Sequence, residues 1–190
     1  VAAALLLTQR GTPFLYYGEE IGMRDVKLNR SQILDPVGKH YWPFYKGRDG
    51  CRAPMQWDAS PNAGFSKGQP WLPLHPDYRE RNVEAQLADK TSLLNFYKQV
   101  LAIRRKHPEL VSGNYQSLTG MPSGVMAYQR KLGDAAALIL LNFNNATQKI
   151  SLQGRVKNWQ IGLSSKGRRE IDFDQPVQLQ GNEALILFSN

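Results

Sequence analysis

The sequence predicts an α+β chain in two parts, the closing segment of an α/β domain over residues 1–110 and an antiparallel β-sandwich over residues 111–190. Three observations carry this reading. The β-prone apolar run Phe14-Leu15-Tyr16-Tyr17 follows an apolar helix across one short turn. A long stretch rich in proline and glycine, residues 18–81, separates that run from an amphipathic helix. From residue 114 the pattern changes to short alternating runs divided by glycine and asparagine.

Each element has a local reason. Ala2 to Leu7 are apolar all round, which makes residues 1–9 the last turns of a buried helix. Gly11 caps that helix and Pro13 forbids its continuation. Phe14–Tyr17 reads as a strand buried on both faces, as in a parallel sheet. Thr91 or Ser92 caps the next helix, whose Leu93, Leu94, Tyr97, Val100, Leu101 and Arg104 recur on a 3–4 spacing. It ends in Arg104, Arg105, Lys106 and His107, cations suited to the C-terminal dipole, and Pro108 stops it. Strands are expected near 114–119, 124–131, 135–142, 147–152, 158–162, 169–173 and 183–189, with Ala135–Phe143 and Ala184–Phe188 central. Gly154 is one of the separators.

Composition excludes several classes. Hydrophobic residues make up 42% and charged residues 21% of the 190, as in a globular protein, and no apolar run reaches the ~18 residues of a membrane span. Cys51 is the single cysteine, so no intrachain disulfide forms. That fits a reducing, cytoplasmic compartment, and Cys51 itself reads as a small buried residue. The net charge of +8 raises nucleic acid as a partner. The excess is spread along the chain, and its densest clusters, Arg104-Arg105-Lys106 and Lys166-Gly167-Arg168-Arg169, read as a solvated helix end and a solvated hairpin. No nucleic-acid or membrane partner is expected. His40, His75 and His107 lack metal-ligand spacing, and no phosphate-binding or nucleotide motif is present, so no metal or cofactor is expected.

A helix, one two-sided strand, a long loop and one more helix do not make a sheet. The first 110 residues therefore read as the end of an α/β domain whose other strands lie upstream of Val1. A whole barrel of this kind takes roughly 250 residues.

Particular residues carry a resemblance. Gly11-Thr12-Pro13-Phe14-Leu15-Tyr16-Tyr17-Gly18-Glu19-Glu20-Ile21-Gly22-Met23 resembles the eighth-strand segment of family 13 glycoside hydrolases, the α-amylase family. Gly47-Arg48-Asp49-Gly50-Cys51-Arg52-Ala53-Pro54-Met55-Gln56-Trp57-Asp58 is similar to the signature of its α-glucosidase and oligo-1,6-glucosidase branch, with Ala53 where threonine is usual. Asn62–Ser66, Pro70-Trp71, Asn82-Val83 and Ser92–Tyr97 continue the match in order.

The resemblance implies that residues 1–110 are strand eight, the long loop and helix eight of a (β/α)₈ TIM barrel, followed by the family's β-sandwich. It also implies a retaining glycosidase whose three catalytic carboxylates, on strands four, five and seven, precede Val1. No catalytic residue is therefore assigned in this chain, which is expected to be inactive alone. A retaining mechanism needs two carboxyl groups about 5–5.5 Å apart. Glu19 and Glu20 are adjacent and would point to opposite faces of a strand, which suits a structural role, and Asp49 and Asp58 read as solvated or paired.

Barrel active sites sit on loops such as residues 18–81. By the resemblance, Arg48 matches the arginine that holds hydroxyls of the non-reducing glucose, a task suited to its planar fork. Arg52 is the second substrate-binding candidate, with carboxylate pairing as its alternative. Gln56 and Trp57 read as loop anchors, and Tyr16 and Tyr17 as barrel interior. Trp159, Tyr115 and Tyr128 read as packing more than as a sugar-binding face.

The leading expectation is thus part of an α-glucosidase-like enzyme acting on short oligosaccharides. A family 13 transglycosylase or sucrose isomerase and a stand-alone sugar-binding or interaction module are the alternatives. Phe14, Tyr16 and helix 92–107 are expected to expose apolar surface that an upstream barrel segment or self-association would cover.

Overall fold

In the computed structural model, residues 1–152 and 159–189 are described; Gly154 and Asn158 lie outside them. The chain divides into two units, residues 1–14 with 96–190, and residues 15–95.

In the first unit, β1 (Asn114–Ser117), β2 (Val125–Leu132), β3 (Ala135–Asn142), β7 (Ala184–Ser189) and β5 (Trp159–Ser164) form one antiparallel sheet in that order. The β2–β3 hairpin turns at Gly133, whose φ of 60° suits a residue without a Cβ. A second sheet pairs β4 (Gln148–Ile150) with β6 (Val177–Leu179).

Alternation in β3 and β7 sends side chains to two cores. Leu138, Leu140, Leu185 and Leu187 meet Ile150, Leu152, Val177 and Leu179 from the small sheet's side. Ala137, Ile139, Ile186 and Phe188 face Leu7 of helix α1 (Ala2–Thr8), Val100 of helix α4 (Leu93–Lys106) and Leu110 of helix α5 (Pro108–Ser112). Both faces are covered, which explains why β3 and β7 read as continuous apolar runs.

Three expectations are corrected here. The 169–173 run forms no strand. Ile171 and Phe173 pack against the second core without ladder partners, and the strand comes later, at β6, just past Pro176. Pro108 does not simply end α4; it occupies the first turn of α5, where its missing N–H costs nothing. Arg104 and Arg168 are not solvated. Arg104 is buried, and Arg168 pairs with the fully buried Glu183 at 3.1 Å.

The second unit holds helices α2 (Pro36–His40) and α3 (Val83–Ala88), several single 3₁₀ turns and no strand among its described residues. The expected strand Phe14–Tyr17 is absent, because a strand exists only through ladder partners and none is present to pair with it. At the start of α4, Ser92 is the cap: its Oγ accepts from Asn95 N–H at 3.2 Å. The amide oxygen of Gln86 accepts from Leu94 N–H at 3.0 Å. Among the described residues no helix is long and apolar enough to cross a membrane.

Candidate substrate-binding loop

The loop has little regular structure, so buried polar side chains organise its backbone. Asp49 is buried, and its Oδ2 accepts from Leu34 N–H at 2.6 Å and Asp35 N–H at 2.7 Å. Asp35 in turn caps α2 by accepting from Val37 N–H at 2.9 Å and ties in Arg48 N–H at 3.0 Å. That bond from the Arg48 backbone is the main reason the Asp35 pKa is lowered. Of the two readings of Asp49, solvated or paired, the solvated one is corrected, and its partners are backbone N–H groups: these donors have no secondary-structure partner and need a carboxylate.

Gln56 anchors the loop's other end. It is fully buried, and its amide donates to the Arg81 carbonyl and to Asp77 Oδ1. Its own carbonyl accepts from Val83 N–H and that of Trp57 from Glu84 N–H, both at 3.0 Å. Trp57 N–H donates to Ala63 O at 2.9 Å across the tight turn Asn62-Ala63-Gly64. Asn62 and Ala63 sit at φ 57° and 55°, and Asn62 holds the turn through bonds to Ser66 O and Gly68 O.

These anchors leave a cleft of ≈ 360 Å³ whose lining includes Tyr17, Glu20, Arg52, Trp57, Phe65 and Trp71. Trp57 is 49% and Trp71 56% exposed, which is high for rings that size. Tyr17 is fixed by its hydroxyl, which donates to Ala53 O at 2.9 Å. Desolvation raises the Tyr17 pKa, with Tyr16 and Cys51 adding to it. Apolar ring faces beside a guanidinium and a carboxylate suit a pyranose, which carries a C–H face and a rim of hydroxyls.

The two arginine candidates part company. Arg52 lines this cleft. Arg48 does not; its side chain is 66% exposed, with Nε 3.8 Å from Asp35 Oδ2. Glu19 Oε2 accepts from Tyr16 N–H at 3.2 Å, and the glutamates sit in a 3₁₀ turn, not at a strand end. Tyr16 and Tyr17 are half exposed instead of lining a barrel interior, since no strand forms around them. Cys51 is exposed, not buried; it follows Arg48 in a 3₁₀ turn, and its Sγ donates to Arg48 O at 3.0 Å. Phe65 and Trp71 join the site although the sequence assigns them no role; their signal is position, as large rings in the matched segments Asn62–Ser66 and Pro70-Trp71, where no periodicity buries them.

The family model for the α-amylase catalytic domain matches residues 1–113. The chain belongs to the α-amylase family.

Among relatives, the oligo-1,6-glucosidase of Parageobacillus thermoglucosidasius is 34% identical, over 97% of this chain and 36% of that protein. The glucan 1,6-α-glucosidase of Streptococcus pneumoniae serotype 4 is 38% identical, over 82% of this chain and 32% of its own length. Among solved structures, the isomaltulose synthase of a Klebsiella species superposes with a TM-score of 0.87 at 29% identity, covering 98% of this chain and 37% of that one. This α-amylase-family chain spans about a third of the length of the curated relatives it matches.

Proposed function

We propose that this chain is the closing part of an α-glucosidase-like glycoside hydrolase that acts by a retaining mechanism on α-glucosidic bonds of short oligosaccharides. In this reading residues 1–110 are strand eight, the long loop and helix eight of a TIM barrel, and residues 111–190 are its β-sandwich domain. One observation carries it: the segment that resembles the α-glucosidase signature, Gly47–Asp58, contributes Arg52 and Trp57 to an aromatic cleft sized for a sugar. The names of the relatives add α-1,6-linked glucosides as the substrate class.

The chain's own part is substrate positioning. Arg52 donates to sugar hydroxyls, Trp57, Phe65 and Trp71 cover the pyranose face, and Arg48 binds hydroxyls once its guanidinium is turned from Asp35. The reacting carboxylates are supplied by upstream barrel strands, so the chain by itself is inactive. A cytoplasmic location accompanies this reading.

The test exchanges the matching third of the Parageobacillus oligo-1,6-glucosidase for this chain. The chimera is expected to hydrolyse p-nitrophenyl α-glucoside and isomaltose, and the chain alone neither. In the chimera, Arg52→Ala raises KM. Hydrolysis by the chain alone, or a folded but inactive chimera, overturns the proposal.

A second reading, a sucrose isomerase of the same family, is favoured by the superposition on isomaltulose synthase. Isomaltulose formed from sucrose by the chimera, but not by its parent, would select it.

A further inference from the structure

A second cleft lies in the other unit, on the sheet face that carries Leu138 and Leu140. Gln116, Gln129 and Leu138 stand in register across β1, β2 and β3, so their side chains share that face. The floor they make is two strand spacings wide, about 10 Å. Trp159, at the start of β5, packs against the same apolar cluster and lines the cleft with them. Leu118 and Thr119 contribute as well, and the volume is ≈ 300 Å³.

We infer that this cleft binds a neutral saccharide, independently of the loop site. The described lining is made of neutral side chains. The glutamine amides are its chief polar groups, and each both donates and accepts, as sugar hydroxyls do. Gln116 is exposed and Gln129 partly exposed, so both side chains stand within reach of a ligand in the cleft. The indole of Trp159 supplies an apolar surface for the C–H face of a pyranose. The volume is at the small end of ligand pockets, which sets the ligand at a short saccharide.

The test is ¹⁵N NMR of the indole N–H groups in the full chain, with the Trp159 signal assigned by its loss in Trp159→Phe. Isomaltotriose is expected to shift that signal and saturate with a midpoint on the order of 1 mM, while sorbitol does not. Gln116→Ala lies on an edge strand and keeps the fold; it is expected to weaken binding at least threefold with an unchanged melting temperature. The inference is overturned if isomaltotriose leaves the Trp159 signal in place, or shifts only the indoles of Trp57 and Trp71. It is also overturned if sorbitol shifts Trp159 equally.

Discussion

Arg104 and Arg130 donate to the same oxygen, the carbonyl of Leu110, each at 2.9 Å. Both are buried, and among the described residues neither has a carboxylate partner. Arg104 reaches on to the carbonyls of Leu7, Gln9 and Gly11, and Arg130 to those of Thr8, Val111 and Gly113. These oxygens lie at or just past the C-terminal ends of α1 and α5, where helical N–H donors have run out. Desolvation lowers the pKa of both guanidiniums, and for Arg130 the Arg104 charge adds to it. Both stay protonated, because arginine does not lose its proton in proteins.

Removing Arg130 takes the donor from the buried carbonyls of Thr8 and Gly113 and from that of Val111, while Leu110 keeps Arg104. Each unpaired carbonyl costs about 1–3 kcal/mol, so Arg130→Met is expected to destabilise by at least about 3 kcal/mol. Arg130→Lys recovers little, since an ammonium cannot span carbonyls so far apart. Urea-unfolding midpoints check this, and a loss under about 0.5 kcal/mol would contradict it.

The Tyr128 hydroxyl meets Thr8 Oγ1 at 2.5 Å, and burial pushes its pKa up to about 12. The unfolded phenol ionises near 10 while the folded one stays neutral. Stability is therefore full below pH 10 and falls as pH rises above it. An ultraviolet tyrosine titration is expected to lose a phenol that ionises near pH 12 in Tyr128→Phe, while Tyr17, also raised by desolvation, remains. That variant is expected to cost about 1 kcal/mol at pH 7 and to have a flatter alkaline profile.

Burial works against the Asp77 carboxylate, yet bonds from Arg81, His75 and Gln56 outweigh it and hold its pKa below the usual value of 3.8. A depressed carboxylate stabilises above its unfolded pKa and loses that contribution as pH falls through the folded value. Acid unfolding of the loop, followed by Trp fluorescence below about pH 4, is expected to be less steep in Asp77→Asn. An unchanged acid limb would contradict it.

Phe14 is 85% exposed, and Leu15, Tyr16 and Tyr17 continue the apolar run. Helix 92–107 contributes less to the exposed surface than its sequence led one to expect: only Leu93 stands out. Self-association of the purified chain is expected to rise with concentration. Phe14→Ser with Tyr16→Ser is expected to reduce it, as read by sedimentation velocity. A monomer at every concentration would contradict this.

The sequence alone determined the elements whose signal is local. Continuous apolar runs bounded by turn residues placed β3 and β7, the 3–4 spacing placed α4, and of the two cap hydroxyls that the sequence offered, Thr91 and Ser92, the structure uses Ser92. The quoted motifs were enough to reach the family. Tertiary structure decided where polar side chains go, because a guanidinium or carboxylate can satisfy any backbone group within reach. That is why Arg104 and Arg168 looked solvated and are buried, and why Asp49 became a loop clamp. It also decided Phe14–Tyr17, whose residues suit a strand; a strand is a relation between chain segments, and its hydrogen bonds require neighbours that local sequence cannot supply.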